Sequence, residues 1–228
     1  MHIPHSNREI PVFVQGSAGS LEALISGIGD SNRKHVGIIC HPHPLYQGSM
    51  DNKVVTTIAR IWQHLEFSTV RFNFRGVGKS EGNYGNGVGE VEDLGAVFKW
   101  AQQNAPGAHV WLAGFSFGAF IATQFAAENS INGLITIAPA LSLFDFVKLK
   151  MPNCPWLIIH GEQDELVPIE KIKEWYHSLM TRKAEGMPLE LVTLTNATHF
   201  FHGYLNDLKG AIEEFIRRLD INKLLKYS

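Results

Sequence analysis

The sequence predicts one α/β domain, a mostly parallel sheet of about eight strands with helices on both faces. Three observations predict it. Short β-branched runs alternate with helix-period runs from residue 35 to the C-terminus, as in strands joined by helical crossovers. Several strand runs, such as His35-Val36-Gly37-Ile38-Ile39-Cys40, are apolar without a break, which suits strands buried on both faces. The 228 residues, 45% hydrophobic and 18% charged, suffice for one large core and are too apolar for disorder. No linker, internal repeat or low-complexity stretch divides the chain, so residues 1–228 are read as one domain.

In order, Ile10 to Val14 and Leu21 to Ile25 flank Gly16-Ser17-Ala18-Gly19, a hairpin signal and the antiparallel start of the sheet. The strand from His35 to Cys40 runs into His41-Pro42-His43-Pro44, whose prolines are read as allowing neither helix nor ladder. Asp51 or Asn52 can cap a helix whose apolar positions are Val54, Val55, Ile58, Ile61, Trp62 and Leu65. Ser68 to Phe74 reads as a strand, followed by glycine-rich chain from Arg75 to Gly89. A helix carries Val91, Leu94, Phe98 and Ala101 on one face and ends before Pro106-Gly107. Ala108 to Ala113 is the next strand, and a helix-like run from Ala119 to Ala127 follows it. Ile131 to Ala138 is a β-branched strand. Leu141 to Lys150 has room for one helical turn, and too little for a helical cap. Pro155 to His160 reads as a strand, Pro168 to Met180 as a helix with proline at its first turn, and Leu189 to Leu194 as the last strand. The closing helix carries Leu205, Leu208, Ile212, Phe215, Ile216 and Leu219.

Right-handed crossovers bring the C-terminal ends of all the parallel strands to one edge, where ligands bind in open α/β sheets. His41, Arg75, Ser116, Pro139 and Asp164 lie at or just past such ends. Gly114-Phe115-Ser116-Phe117-Gly118, between strand and helix, fits a nucleophile elbow, where small neighbours let a serine sit on a tight turn. A serine hydroxyl needs a base to take its proton and an acid to orient that base, in the chain order Ser, Asp or Glu, His. Asp164 lies 48 positions after Ser116 and His199 lies 35 after Asp164, both in loops behind strands. Glu162 and Glu165 flank Asp164, and Asp145 behind the preceding strand is a competing placement for the acid. The oxyanion of an acyl-transfer intermediate needs backbone N–H donors. Phe117 is one candidate. The second belongs in the loop after Cys40, where prolines have no N–H to give, so His43 is the choice and Leu45 the fallback.

Other signals carry less. Gly76-Val77-Gly78-Lys79-Ser80 ends like a P-loop but has Asn73 where glycine is required, and Gly85-Asn86-Gly87-Val88-Gly89 reads as a mobile surface turn. His41 and His43 lack a third ligand at a telling spacing, so no metal or other cofactor is expected, and His41 is read as a loop brace. Arg75 and Asp93 are a candidate structural ion pair. The aromatics Phe115, Phe117, Phe200 and Phe201 around the candidate site fit either ordinary packing or an acyl pocket. The formal charge of -2 offers no basic surface for nucleic acid, and no apolar run reaches the length of a membrane span. Met1-His2-Ile3-Pro4-His5 carries no basic leader pattern, and Cys40 and Cys154 make no disulfide framework, so a cytoplasmic protein with two buried thiols is expected.

These residues resemble the α/β-hydrolase superfamily, and within it a small lidless bacterial group akin to dienelactone hydrolases and S9-type peptidase domains. The resemblance rests on the His41 to Pro44 loop, Arg71-Phe72-Asn73-Phe74-Arg75-Gly76-Val77-Gly78-Lys79-Ser80-Glu81-Gly82, the elbow, Asp164 and His199-Phe200-Phe201, over about residues 10–220. It implies Ser116 as nucleophile, Asp164 as acid, His199 as base and an oxyanion hole at the His-Pro-His-Pro loop. Dienelactone hydrolases carry cysteine where Ser116 stands, so their substrate does not transfer. The expectation is a serine hydrolase that cleaves an ester or related acyl bond of a small-molecule substrate through a covalent acyl-enzyme, as a monomer or homodimer. A peptidase, an acyl- or peracid-forming transferase, or a non-catalytic binder on the same fold are the alternatives.

Overall fold

The structure, a computed structural model, describes residues 8–219. Its elements are β1 (Ile10–Gly16), β2 (Gly19–Ser26), β3 (His35–Cys40), α1 (Lys53–His64), β4 (Ser68–Phe72), α2 (Val88–Asn104), β5 (His109–Phe115) and α3 (Phe117–Ala126). They continue with β6 (Gly133–Ile137), β7 (Trp156–Gly161), α4 (Ile169–Met180), β8 (Leu189–Leu194) and α5 (Leu205–Arg218). The strand order is β1-β2-β4-β3-β5-β6-β7-β8. β1, β2 and β4 pair antiparallel, and every pair from β4 through β3 to β8 is parallel. This is the α/β-hydrolase fold, and between β6 and β7 it holds one 3-10 turn, Phe146–Lys148, in place of a lid.

The central strands are apolar on both sides because helices cover both faces. Ile38, Leu112, Leu134 and Ile158 face α2, α3 and α4 through Leu94, Phe125 and Trp175. Ile39, Trp111, Ile135 and Leu157 face α1 and α5 through Ile58, Trp62, Ile212 and Phe215. The register sets the functional edge. Cys40 pairs with Gly114, Phe115 with Ile137 and Gly161 with Leu194, so the loops that follow β3, β5, β7 and β8 emerge side by side.

Three local expectations are corrected and one choice is decided. β4 stops at Phe72, not Phe74, because Asn73 leaves the ladder to hold other groups: its Oδ1 accepts from Met50 N (2.8 Å) and its Nδ2 donates to Glu22 (2.9 Å). α2 starts at Val88, inside the glycine-rich stretch. The buried Glu90 carboxylate accepts from Gly85 N (2.7 Å) and Gly87 N (2.8 Å), so that stretch is a tethered helix start instead of a free turn. The His-Pro-His-Pro loop does contain a helical turn, Pro44–Tyr46, since proline is tolerated at a first position whose N–H has no intrahelical partner. Asn52, one of the two cap candidates, caps α1 by accepting from Val54 N at 2.9 Å. The leader reading of Met1 to His5 lies outside the described residues.

Candidate active site

The elbow is a close approach of backbones. A Cβ on Gly114 would sit 2.1 Å from Gly118 O, and one on Gly118 would sit 2.3 Å from Cys40 O. Only glycine fits either position, and the second contact seats the start of α3 against the end of β3. Ser116 itself has φ 56° and ψ -111°, a conformation that strains a residue with a side chain by about 1–3 kcal/mol. Ser116 N donating to Ile137 O (2.9 Å) and Ala119 N donating to Ser116 O (3.1 Å) hold it there.

The structure brings Ser116, His199 and Asp164 together across three loops. His199 Nε2 lies 3.0 Å from Ser116 Oγ, and His199 Nδ1 lies 2.8 Å from Asp164 Oδ2. Asp164 Oδ1 accepts from Leu166 N and Val167 N, both at 2.9 Å, which leaves Oδ2 for the imidazole. Burial alone would raise the Asp164 carboxyl. The hydrogen bond and charge of His199, with the Val167 amide and His160, outweigh it and hold the group below the usual carboxylate range. The loops are locked together. Gln163 N donates to Ala197 O (3.0 Å), and a Cβ on Gly161 would lie 2.3 Å from that same oxygen.

The competing acids are engaged elsewhere. Asp145, the alternative placement, is exposed and pairs with Lys148 at 2.7 Å, which counts against it. Glu162 accepts from Thr193 Oγ1 (3.0 Å), and Glu165 accepts from His199 N (3.3 Å), bracing the His199 backbone. Among the described residues, neither Phe117 N nor His43 N donates to a protein acceptor. Leu45 N is committed to His43 Nδ1 at 3.2 Å, which counts against the fallback.

Supporting residues complete the edge. His41 is the expected brace: it is fully buried, its Nε2 accepts from Phe74 N (3.0 Å) and its Nδ1 donates to Pro42 O (2.6 Å). Burial pulls His41 down to about 4, so it stays neutral, as that tautomer requires. Arg75 and Asp93 form the anticipated pair at 2.8 Å, with Asp93 fully buried. Phe115, Phe117 and Phe201 have no exposed surface and are packing groups; Phe200, 43% exposed, stands at the rim with its ring 5.2 Å from that of His199.

Sequence reasoning missed three contributors. His160 is buried under Asp164, donating to Val167 O at 2.8 Å and lying 3.6 Å from the carboxylate; its place at the end of β7 was a signal left unused. Glu90 was findable from its spacing of three after Gly87. Tyr84, whose hydroxyl meets His43 Nε2 at 3.1 Å across 41 positions of chain, left no pattern to find.

The model of the family described as serine aminopeptidase, S33 matches residues 49–152. An uncharacterized protein of Rickettsia prowazekii is 33% identical over 216 residues, covering 92% of this chain and 90% of its own length. A solved α/β serine hydrolase of Xanthomonas campestris, described as without lid, is 36% identical, with a TM-score of 0.84 and 94% and 96% of the two chains covered. An α-β serine hydrolase homologue of Coxiella burnetii is 44% identical with a TM-score of 0.79, covering 96% of this chain and all of its own (100%). Similarity of this extent, over nearly the whole of each chain and with the same fold, shows that the protein belongs to the lidless α/β serine hydrolases.

Proposed function

We propose that the protein hydrolyses esters of small carboxylic acids through a covalent acyl-enzyme on Ser116. The observation that carries this reading is the hydrogen-bonded chain from Ser116 Oγ through His199 to Asp164, with links of 3.0 and 2.8 Å. Ser116 Oγ attacks the ester carbon while its proton passes to His199 Nε2. The Phe117 and His43 amides receive the carbonyl oxygen as it becomes anionic, in a site whose backbone geometry is set beforehand. His199 then gives that proton to the departing alkoxide, the acyl-enzyme forms, and water repeats the sequence with the acyl group. Asp164 keeps its charge throughout, holds the productive tautomer and offsets the imidazolium.

Two shallow hollows adjoin neighbours of this chain of residues: Phe200, next to His199, and Phe144, whose ring is 5.2 Å from that of Phe117. One of about 340 Å³ is lined by Gln47, Ser49, Lys53, Phe200 and His202 on the His199 side, and one of about 300 Å³ by Leu141, Leu143, Phe144 and Val147. With a single 3-10 turn between β6 and β7, the edge stays open to short acyl chains. Amide hydrolysis is the second reading, favoured by the aminopeptidase description of the matching family model.

Rates on 4-nitrophenyl acetate, butyrate and octanoate, set against 4-nitroanilides of alanine and leucine, test the assignment. Ester turnover that Ser116→Ala and His199→Ala each cut by about 10³-fold or more is the expected result. Near wild-type turnover in either variant contradicts it, and faster anilide cleavage moves the conclusion to a peptidase.

A further inference from the structure

Proton accounting at His43 exposes a donor that the hydrolytic steps do not use. Leu45 N–H donates to His43 Nδ1 at 3.2 Å, so that nitrogen bears no proton. In a neutral imidazole the proton then sits on Nε2, and burial, which pulls His43 down, favours the neutral form. The Nε2 contact with Tyr84 Oη, at 3.1 Å, is therefore a bond in which His43 donates and Tyr84 accepts. The phenolic proton is left over. The Glu90 carboxylate, whose charge acts on Tyr84, accepts from Gly85 N and Gly87 N, and among the described residues no group accepts from the Tyr84 hydroxyl. Burial and the charge of Glu90 push the phenol up, so it keeps its proton at neutral pH.

This spare donor stands by the residue that follows Ser116. The rings of His43 and Tyr84 lie 5.0 Å apart, and 5.0 and 6.0 Å respectively from the ring of Phe117, the residue after Ser116. Phe144 extends the same wall, 5.2 Å from Phe117 and 6.1 Å from His43. On the catalytic reading above, His199 must reach the departing oxygen, so the leaving group lies on the His199 side. The acyl group then runs along the wall of His43, Tyr84 and Phe144. The Tyr84 hydroxyl is hydrogen-bonded to the far ring nitrogen of His43, at the other end of that side chain from the amide assigned to the carbonyl oxygen. On that reading it would meet the acyl chain beyond the carbonyl.

We infer that Tyr84 is a specificity-determining donor, and that the site takes acyl groups bearing an oxygen acceptor one or two carbons past the carbonyl, as in alkoxy-, hydroxy- or oxo-acyl esters. An unmet donor and a purely alkyl chain would face each other without compensation, whereas an ether or carbonyl oxygen accepts the spare proton.

Two isosteric pairs test this: 4-nitrophenyl methoxyacetate against butyrate, and 3-methoxypropanoate against pentanoate, on wild type and Tyr84→Phe. The variant keeps the ring and its packing, and comparing the wild-type to variant ratio of kcat/KM within each pair cancels the esters' own reactivities. The expected result is a loss about three- to tenfold larger for the oxygen-bearing ester in at least one pair. Equal losses in both members, or no loss in either pair, overturn the inference. Ser116→Ala keeps the two conclusions separable. If it abolishes turnover of all four esters while Tyr84→Phe shows no discrimination, the hydrolase reading stands and this inference fails. If turnover survives Ser116→Ala, the hydrolase reading fails first.

Discussion

Acid should loosen this fold through His41, and the size of the effect follows from its burial. The side chain has no exposed surface and is held neutral between the Phe74 amide and Pro42 O, with a folded pKa of about 4. In the unfolded chain a histidine titrates near 6.5. Below about pH 6.5 the unfolded state therefore binds a proton that the folded state refuses, and stability falls until the pH nears 4. Between pH 7 and pH 5 the difference integrates to about 2 kcal/mol. For a chain of this size that is about 4–8 °C in Tm. The assay is thermal unfolding at pH 7 and pH 5 of wild type and His41→Gln, whose amide oxygen can still accept from Phe74 N. His35, also pulled down to about 4, contributes to both proteins and cancels in the comparison. Wild type should lose about 4–8 °C more than the variant between the two pH values. Equal losses would refute the argument, because the proton uptake would then lie elsewhere.

Three further outcomes follow. Gly118→Ala, whose new Cβ would meet the Cys40 carbonyl at 2.3 Å, should displace α3 from β3, costing about 2 kcal/mol or more and most of the ester activity; unchanged Tm and rate would contradict the close approach. Arg75→Met leaves the Asp93 carboxylate buried without its partner, so unfolding should come easier by about 3–5 kcal/mol, seen as a lower urea midpoint at neutral pH. Asp164→Asn should cut kcat by about 10³–10⁴, whereas Asp145→Ala should leave it within about twofold; the reverse order would reinstate the acid behind β6.

Much of this was legible in the chain because local and global signals agree. The unbroken apolar run from His35 to Cys40 became β3 with the same bounds, and Leu189 to Leu194 became β8. The order Ser116, Asp164, His199 was readable since the parallel topology alone delivers those loops to one edge. What escaped is what depends on side chains meeting across long separations. The early start of α2 hangs on the Glu90 carboxylate, not on an apolar face, and Val88 at its first position is exposed. β4 ends early because Asn73 bonds to residues 23 and 51 positions away. What weighs on the choice between His43 and Leu45 is one amide bonding to a ring nitrogen, a contact that no periodicity encodes. The aromatics were ambiguous for a similar reason: Phe115 and Phe117 are two positions apart yet join the cores on opposite faces of the sheet.

The central claim is that Ser116 is the nucleophile of an acyl-enzyme. Brief reaction with a fluorophosphonate, followed by proteolysis and mass analysis, reads this directly. The account predicts one adduct per chain, on the peptide carrying Gly114-Phe115-Ser116-Phe117-Gly118, lost in Ser116→Ala and strongly slowed in His199→Ala. An adduct on another residue, or undiminished labelling of Ser116→Ala, would contradict it.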